Sequence, residues 1–153
     1  MKRLPFVFLI LIVASCSSKS SDRISHRFRE KSLDFLVKAK LAHPFMGSLG
    51  NLDEAGKKAF REALDSFAGI PAPANKKEEE LYAKAQEINH SISEAYQILL
   101  IAQTRYEDET AEIIAGNKEL EREREKKWKS LATEGKRVLD ASVDLEKEIQ
   151  SSR

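Results

Sequence analysis

The chain has 153 residues with 26 Lys and Arg against 25 Asp and Glu. That is the size of one small domain, without the cationic excess a general nucleic-acid binder needs. One cysteine excludes an internal disulfide, so packing must hold the fold. Ala, Glu, Lys, Leu and Arg dominate, Gly and Pro number only 6 and 4, and no stretch alternates apolar and polar residues convincingly; the composition predicts an all-α fold of long helices.

Residues 1–15 have the layout of a secretory signal peptide: Met1-Lys2-Arg3, an apolar run from Phe6 to Val13, then Ala14-Ser15. Eight apolar residues are too few to span a bilayer core of about 30 Å, which takes roughly 20. Val13-Ala14-Ser15-Cys16 resembles the lipobox of bacterial lipoproteins. The resemblance implies that Cys16 is diacylated on sulfur, that residues 1–15 are removed, and that the new N-terminus is often acylated too. Two chains anchor a protein stably, whereas one does so only marginally. Ser17 follows the cysteine. In the enterobacterial members Asp at that place retains the protein at the inner membrane, so Ser points to the outer membrane where the organism has two. With a single membrane the same anchor means the outer face of the cell membrane. Without Lys2 and Arg3 the balance becomes 24 basic to 25 acidic residues.

Residues 16–21 hold the acylated cysteine and a serine-rich tether. A helical domain is expected over 22–153. Its first helix, about 22–42, carries Ile24, Phe28, Phe35, Ala39 and Ala42 on one stripe, with Leu36 beside it. Pro44 disfavours helical backbone at His43, and Gly47 and Gly50 make the turn. The second helix, about 52–68, buries Leu52, Ala55, Ala59, Phe60, Ala63, Leu64 and Phe67, and Asn51 with Glu54 has capping-box spacing. Gly69 ends it, and Ile70-Pro71-Ala72-Pro73-Ala74 is a stiff connector.

Asn75 and Glu78 repeat the cap spacing before the third helix, about 76–115. Leu81, Ala85, Ile88, Ile92, Ala95, Leu99, Ala102 and Tyr106 step along it by four and three. The fourth helix, about 118–150, has a second stripe through Leu120, Trp128, Leu131, Gly135, Val138, Ser142, Leu145 and Ile149. Gly116 suits a helix end and Asn117 a helix start. Folding there sets Ile113 against Leu120, Tyr106 against Trp128, Leu99 against Gly135 and Ala85 against Ile149. The alternative, one continuous helix, places polar Asn117 and Arg124 in its stripe. The preferred architecture is a small four-helix bundle whose last two helices form a long antiparallel, coiled-coil-like hairpin. Phe28, Phe35, Phe60, Leu64 and Phe67 fill the thick end against Leu81, Ile88, Ile92 and Ile149.

Signs of chemistry are sparse. Glu87 and His90 have the Glu-x-x-His spacing of di-metal bundles. Ile88 takes the seam, however, so both should flank it on the solvated side. No phosphate loop, Cys/His cluster or G-x-S-x-G elbow occurs. No cofactor, metal or catalysis is expected. Residues 19–40 carry four more basic than acidic side chains beside the anchor, which would draw anionic headgroups or simply solvate the helix. The tip of the hairpin is dense in charge over 121–127, with Tyr106 and Trp128 behind it. Trp, Tyr and Arg dominate binding hot spots, so Tyr106, Arg122, Arg124, Lys126 and Trp128 form the candidate partner-binding tip; the alternative is a solvated helix turn beyond the bundle with an ordinary buried aromatic pair behind it. The expected role is non-enzymatic: a membrane-anchored envelope lipoprotein that binds a protein partner or self-associates, with no nucleic acid. One alternative is a pilotin-like accessory lipoprotein of a secretion or surface-assembly system. Another is a ligand- or metal-binding bundle.

Overall fold

The computed structural model describes residues 23–48 and 52–152. The signal segment, Cys16, Asn51 and Gly50 lie outside them. Among the described residues the order is α1 (His26–Ala42), a 3-10 helix (His43–Gly47), α2 (Glu54–Ala68), α3 (Lys76–Ile114) and α4 (Lys118–Ser151), with no strand. The fold is all-α, and the two long helices pack against each other as a hairpin.

Each α-helix start is set by a short polar side chain that accepts from a free backbone N–H. Ser25 accepts from Phe28 at 3.3 Å and starts α1 four residues later than the apolar pattern suggests. Asp53 caps α2 by accepting from the Gly56 N–H at 2.8 Å. This replaces the expected Asn51–Glu54 box, because Asp is as good a cap as Asn and its charge suits the helix dipole. Asn75 caps α3 as expected, accepting from Glu78 at 2.9 Å. Asn117 caps α4 through the Leu120 N–H at 3.2 Å.

Gly116 has φ of +101°, a conformation that strains any residue with a Cβ. Its N–H donates to the Ile113 carbonyl at 3.0 Å, and the Asn117 N–H donates to the Glu112 carbonyl at 3.1 Å. This pair of bonds closes α3 as a Schellman turn, and the next residue already caps α4. The chain therefore reverses within a few residues and does not run on as one helix.

α1 packs on α2, α3 and α4, and the 3-10 helix packs on α4, α1 and α3. Phe28, Phe35, Leu36, Phe60, Leu81, Ile92, Leu99 and Ile149 are fully buried between them. Phe67 lies edge-on to Phe35 at 5.3 Å between ring centroids, and Phe60 stacks on Tyr96 at 5.0 Å. Ion pairs of 2.8 Å between Lys40 and Glu146 and between Lys77 and Glu148 tie α1 and α3 to α4 around this core.

Three local expectations change. On α2, Ala55 is exposed and Gly56 is buried, because Leu52 and Phe45 approach to where a Cβ at Gly56 would be only 2.8 Å from either. His43 keeps right-handed helical backbone although it precedes Pro44, at φ −56° and ψ −37°. The proline thus begins a 3-10 helix and not an open turn. That helix takes the place assigned to Leu99 beside Gly135: a Cβ there would lie 3.1 Å from Met46 Cβ and 3.2 Å from the His43 carbonyl oxygen. A glycine in mid-helix is explained by the close approach of this third backbone.

Among the described residues Glu78 is the one fully buried acid. Its Oε1 accepts the Ser25 N–H at 2.6 Å and its Oε2 accepts the Ala74 N–H at 2.7 Å. It does not close a box on Asn75. It instead joins the start of α1 to the connector before α3, and the Asn75 side chain adds a 3.0 Å bond to the Arg23 carbonyl. Burial pushes the Glu78 carboxyl up, but the bonds from Ala74 and from the Ser25 backbone and hydroxyl outweigh it and hold the group below the usual carboxylate range.

Candidate partner-binding site on the helical arm

The last buried residue of α3 is Leu99 and the first of α4 is Leu131, and no residue of 100–130 between them is buried. The hairpin therefore extends past the bundle as a bare two-helix arm. Leu99 and Ile114 are about 22 Å apart along the axis, at about 1.5 Å per residue.

Where the arm leaves the bundle, the end of the 3-10 helix meets both of its helices. A groove of about 590 Å³ opens there. Tyr106 and Ile113 line it from α3, Glu121, Arg124, Glu125 and Trp128 from α4, and Gly47 and Ser48 close its lower end. The Arg124 guanidinium carbon sits 4.2 Å above the centre of the Tyr106 ring, a cation–π contact. Its Nη1 donates to Thr110 Oγ1 at 2.9 Å, so the side chain is held at both its face and its edge. The Trp128 indole N–H donates to the Gly47 carbonyl, yet the residue is 53% exposed. One bond thus fixes the direction of a large aromatic surface that is left open to solvent.

Of the five candidates, the structure brings together Tyr106, Arg124 and Trp128 around this groove. Arg122 and Lys126 are exposed and line none of it, and Lys126 lies instead with Glu123, Lys127 and Ser130. Tyr106 and Trp128, set opposite each other by the aligned stripes, each take another partner: Arg124 covers the tyrosine, and the tryptophan reaches across to the 3-10 helix. Gly47, Ser48 and the carboxylates Glu121 and Glu125 were not among the candidates. The carboxylates were legible only as part of the 121–127 charge run. A hydrogen bond from Lys129, 2.6 Å away, holds Glu125 below the usual carboxylate range.

Glu87 and His90 are exposed on α3, and His90 lies 3.3 Å from Glu94, one turn on. Among the described residues no three His, Cys, Asp or Glu side chains converge as a metal site, and no helix is long and apolar enough to cross a membrane. Gathered around the groove are the aromatic side chains of Tyr106 and Trp128, one oriented guanidinium, the carboxylates of Glu121 and Glu125, and Ile113. No protein-family model, curated protein or solved structure matches the chain.

Proposed function

We propose that the protein is a lipid-anchored envelope lipoprotein that acts by binding another protein through its helical arm, without catalysis. One observation carries the binding part. Trp128 is more than half exposed, yet its indole is held by the Gly47 carbonyl over a groove shared with Tyr106 and Arg124. An aromatic side chain oriented before its partner arrives loses little entropy on binding, and Trp, Tyr and Arg are the residues that dominate hot spots.

The anchor rests on the lipobox-like Val13-Ala14-Ser15-Cys16 and the signal layout before it. Ser17 favours the outer membrane in an organism with two. A lipid near the start of the chain and an arm beyond the bundle give the two halves of the reading separate tests. For the anchor, intact-mass analysis of the membrane form should show a diacylated Cys16, and Cys16→Ala should give an unprocessed or soluble form. An unmodified thiol in the membrane form contradicts it. For the binding role, affinity capture from solubilised membranes should recover a defined partner with the intact protein. Recovery should fall at least tenfold with Trp128→Ala, about 1.4 kcal/mol. Capture that survives both Trp128→Ala and deletion of 107–127 moves the binding surface off the arm.

A further inference from the structure

The arm has a second groove, on another side of α3. Phe60 stacks on Tyr96 and Phe67 packs on Tyr82, so those tyrosines mark the side that α2 covers. At about 100° per residue, Ile98 and Ile101 point roughly 200° and 140° around the helix from Tyr96. They are 43% and 57% exposed. With Ala102 they form one wall of a groove of about 230 Å³, and Arg124 and Lys127 of α4 form the other. Arg105 and Glu109 complete the rim.

The charge lining this groove is one-sided. Three cations, Arg105, Arg124 and Lys127, stand against the single carboxylate of Glu109, and none of the four forms an ion pair. Lower on the same hairpin, charges do pair across α3 and α4: Lys77 and Lys84 both meet Glu148, at 2.8 and 2.5 Å. We infer that this face docks an acidic amphipathic helix of another protein, which lays apolar side chains on Ile98 and Ile101 and carboxylates against Arg105 and Lys127. A helix with apolar residues at i, i+3, i+4 and i+7 and acidic flanks meets both the exposed wall and the cationic rim. A second copy is a poor occupant, because apposing two such faces sets three cations and one carboxylate against the same excess of positive charge. The inference extends the protein-binding reading to a second surface and gives its partner a chemistry.

The probe is a fluorescein-labelled peptide with leucine at i, i+3, i+4 and i+7 and glutamate on its flanks, titrated against the full chain carrying Cys16→Ser and read by anisotropy. Its comparisons are a lysine-flanked version and a scrambled peptide of the same acidic composition. The acidic amphipathic peptide should bind, more weakly as salt rises, and at least tenfold more tightly than either comparison. Ile98→Ser with Ile101→Ser, and separately Arg105→Glu with Lys127→Glu, should each weaken it about tenfold or more. Both pairs are exposed, so the melting curve by circular dichroism should stay unchanged. Trp128 and Arg124 are untouched in both, so partner capture through the first groove should also persist, which separates failure here from failure of the arm as a binding device. Equal binding of the lysine version or the scrambled peptide overturns the inference, as does no binding at about 1 mM peptide, where ΔG is only about −4 kcal/mol. Self-association abolished by the Ile98/Ile101 variant also overturns it, in favour of a second copy.

Discussion

Replacing Glu78 with glutamine tests whether one buried carboxylate holds the base of the bundle together. The side chain is 1% exposed and takes one backbone N–H on each oxygen, at 2.6 Å from Ser25 and 2.7 Å from Ala74. Glutamine keeps the shape and one acceptor. Its amide NH2 then faces the second N–H, so one charge-assisted bond is lost and a buried donor is left unpaired. A hydrogen bond to a charged group contributes about 1.5–3 kcal/mol, and an orphaned buried group costs about 1–3. With partial relaxation, Glu78→Gln should destabilise by about 2–4 kcal/mol. For a domain of this size that is a fall in Tm of roughly 8–16 °C. Glu79→Gln, exposed on the same turn, should stay within about 0.5 kcal/mol.

The acid behaviour should change as well. Because the folded carboxyl lies below its unfolded value of about 4.3, its contribution is present above that value and disappears as pH falls through the folded pKa. Wild type should lose stability on acidification below about pH 4.5, and the glutamine variant should lose less. A residual slope will remain from Glu148, which hydrogen bonds from Lys77 and Lys84 also hold low. A Glu78→Gln protein that melts within about 1 kcal/mol of wild type and keeps the full acid slope refutes this role for Glu78.

Gly135→Leu should destabilise by about 1–3 kcal/mol by urea titration, because Met46 and the His43 carbonyl already crowd the Cβ position. It should also red-shift Trp128 emission as the 3-10 helix is displaced, whereas a leucine variant as stable as wild type would put Gly135 in open space. Gly116→Ala should cost about 1 kcal/mol or more through the positive φ alone, since nothing lies near its Cβ position; unchanged stability in a thermal melt would count against the turn. Spin labels at Ala102 and Leu131 should report a short distance within one monomer, against about 43 Å for an uninterrupted helix.

Elements whose determinants are local were legible in the sequence. The seam of α3, the caps at Asn75 and Asn117 and the reversal at Gly116 each depend on residues within a few positions of one another. What was not legible depends on long-range approach. Glu78 has capping-box spacing, but its acceptors serve Ser25, 53 residues away in sequence, and Ala74. Gly135 sits on the right stripe, yet its neighbour is a 3-10 helix formed where Pro44 suggested only a break. At the arm, aligning the stripes set the level of Tyr106 and Trp128 correctly but not their direction around each helix. That direction is what gives the tyrosine face to Arg124 and the indole N–H to Gly47. Arg122 and Lys126 were candidates by charge alone, and charge carries no periodicity to say which residues reach the groove.

The most direct test of the arm as the working surface is site-specific photocrosslinking in the native membrane. A photoreactive residue is placed at Trp128, at Ile101 on the second groove, or at Glu62 on the exposed side of α2. Discrete heterologous adducts at positions 128 and 101, and none at 62, are the predicted result. Adducts at position 62 with none on the arm would contradict the account.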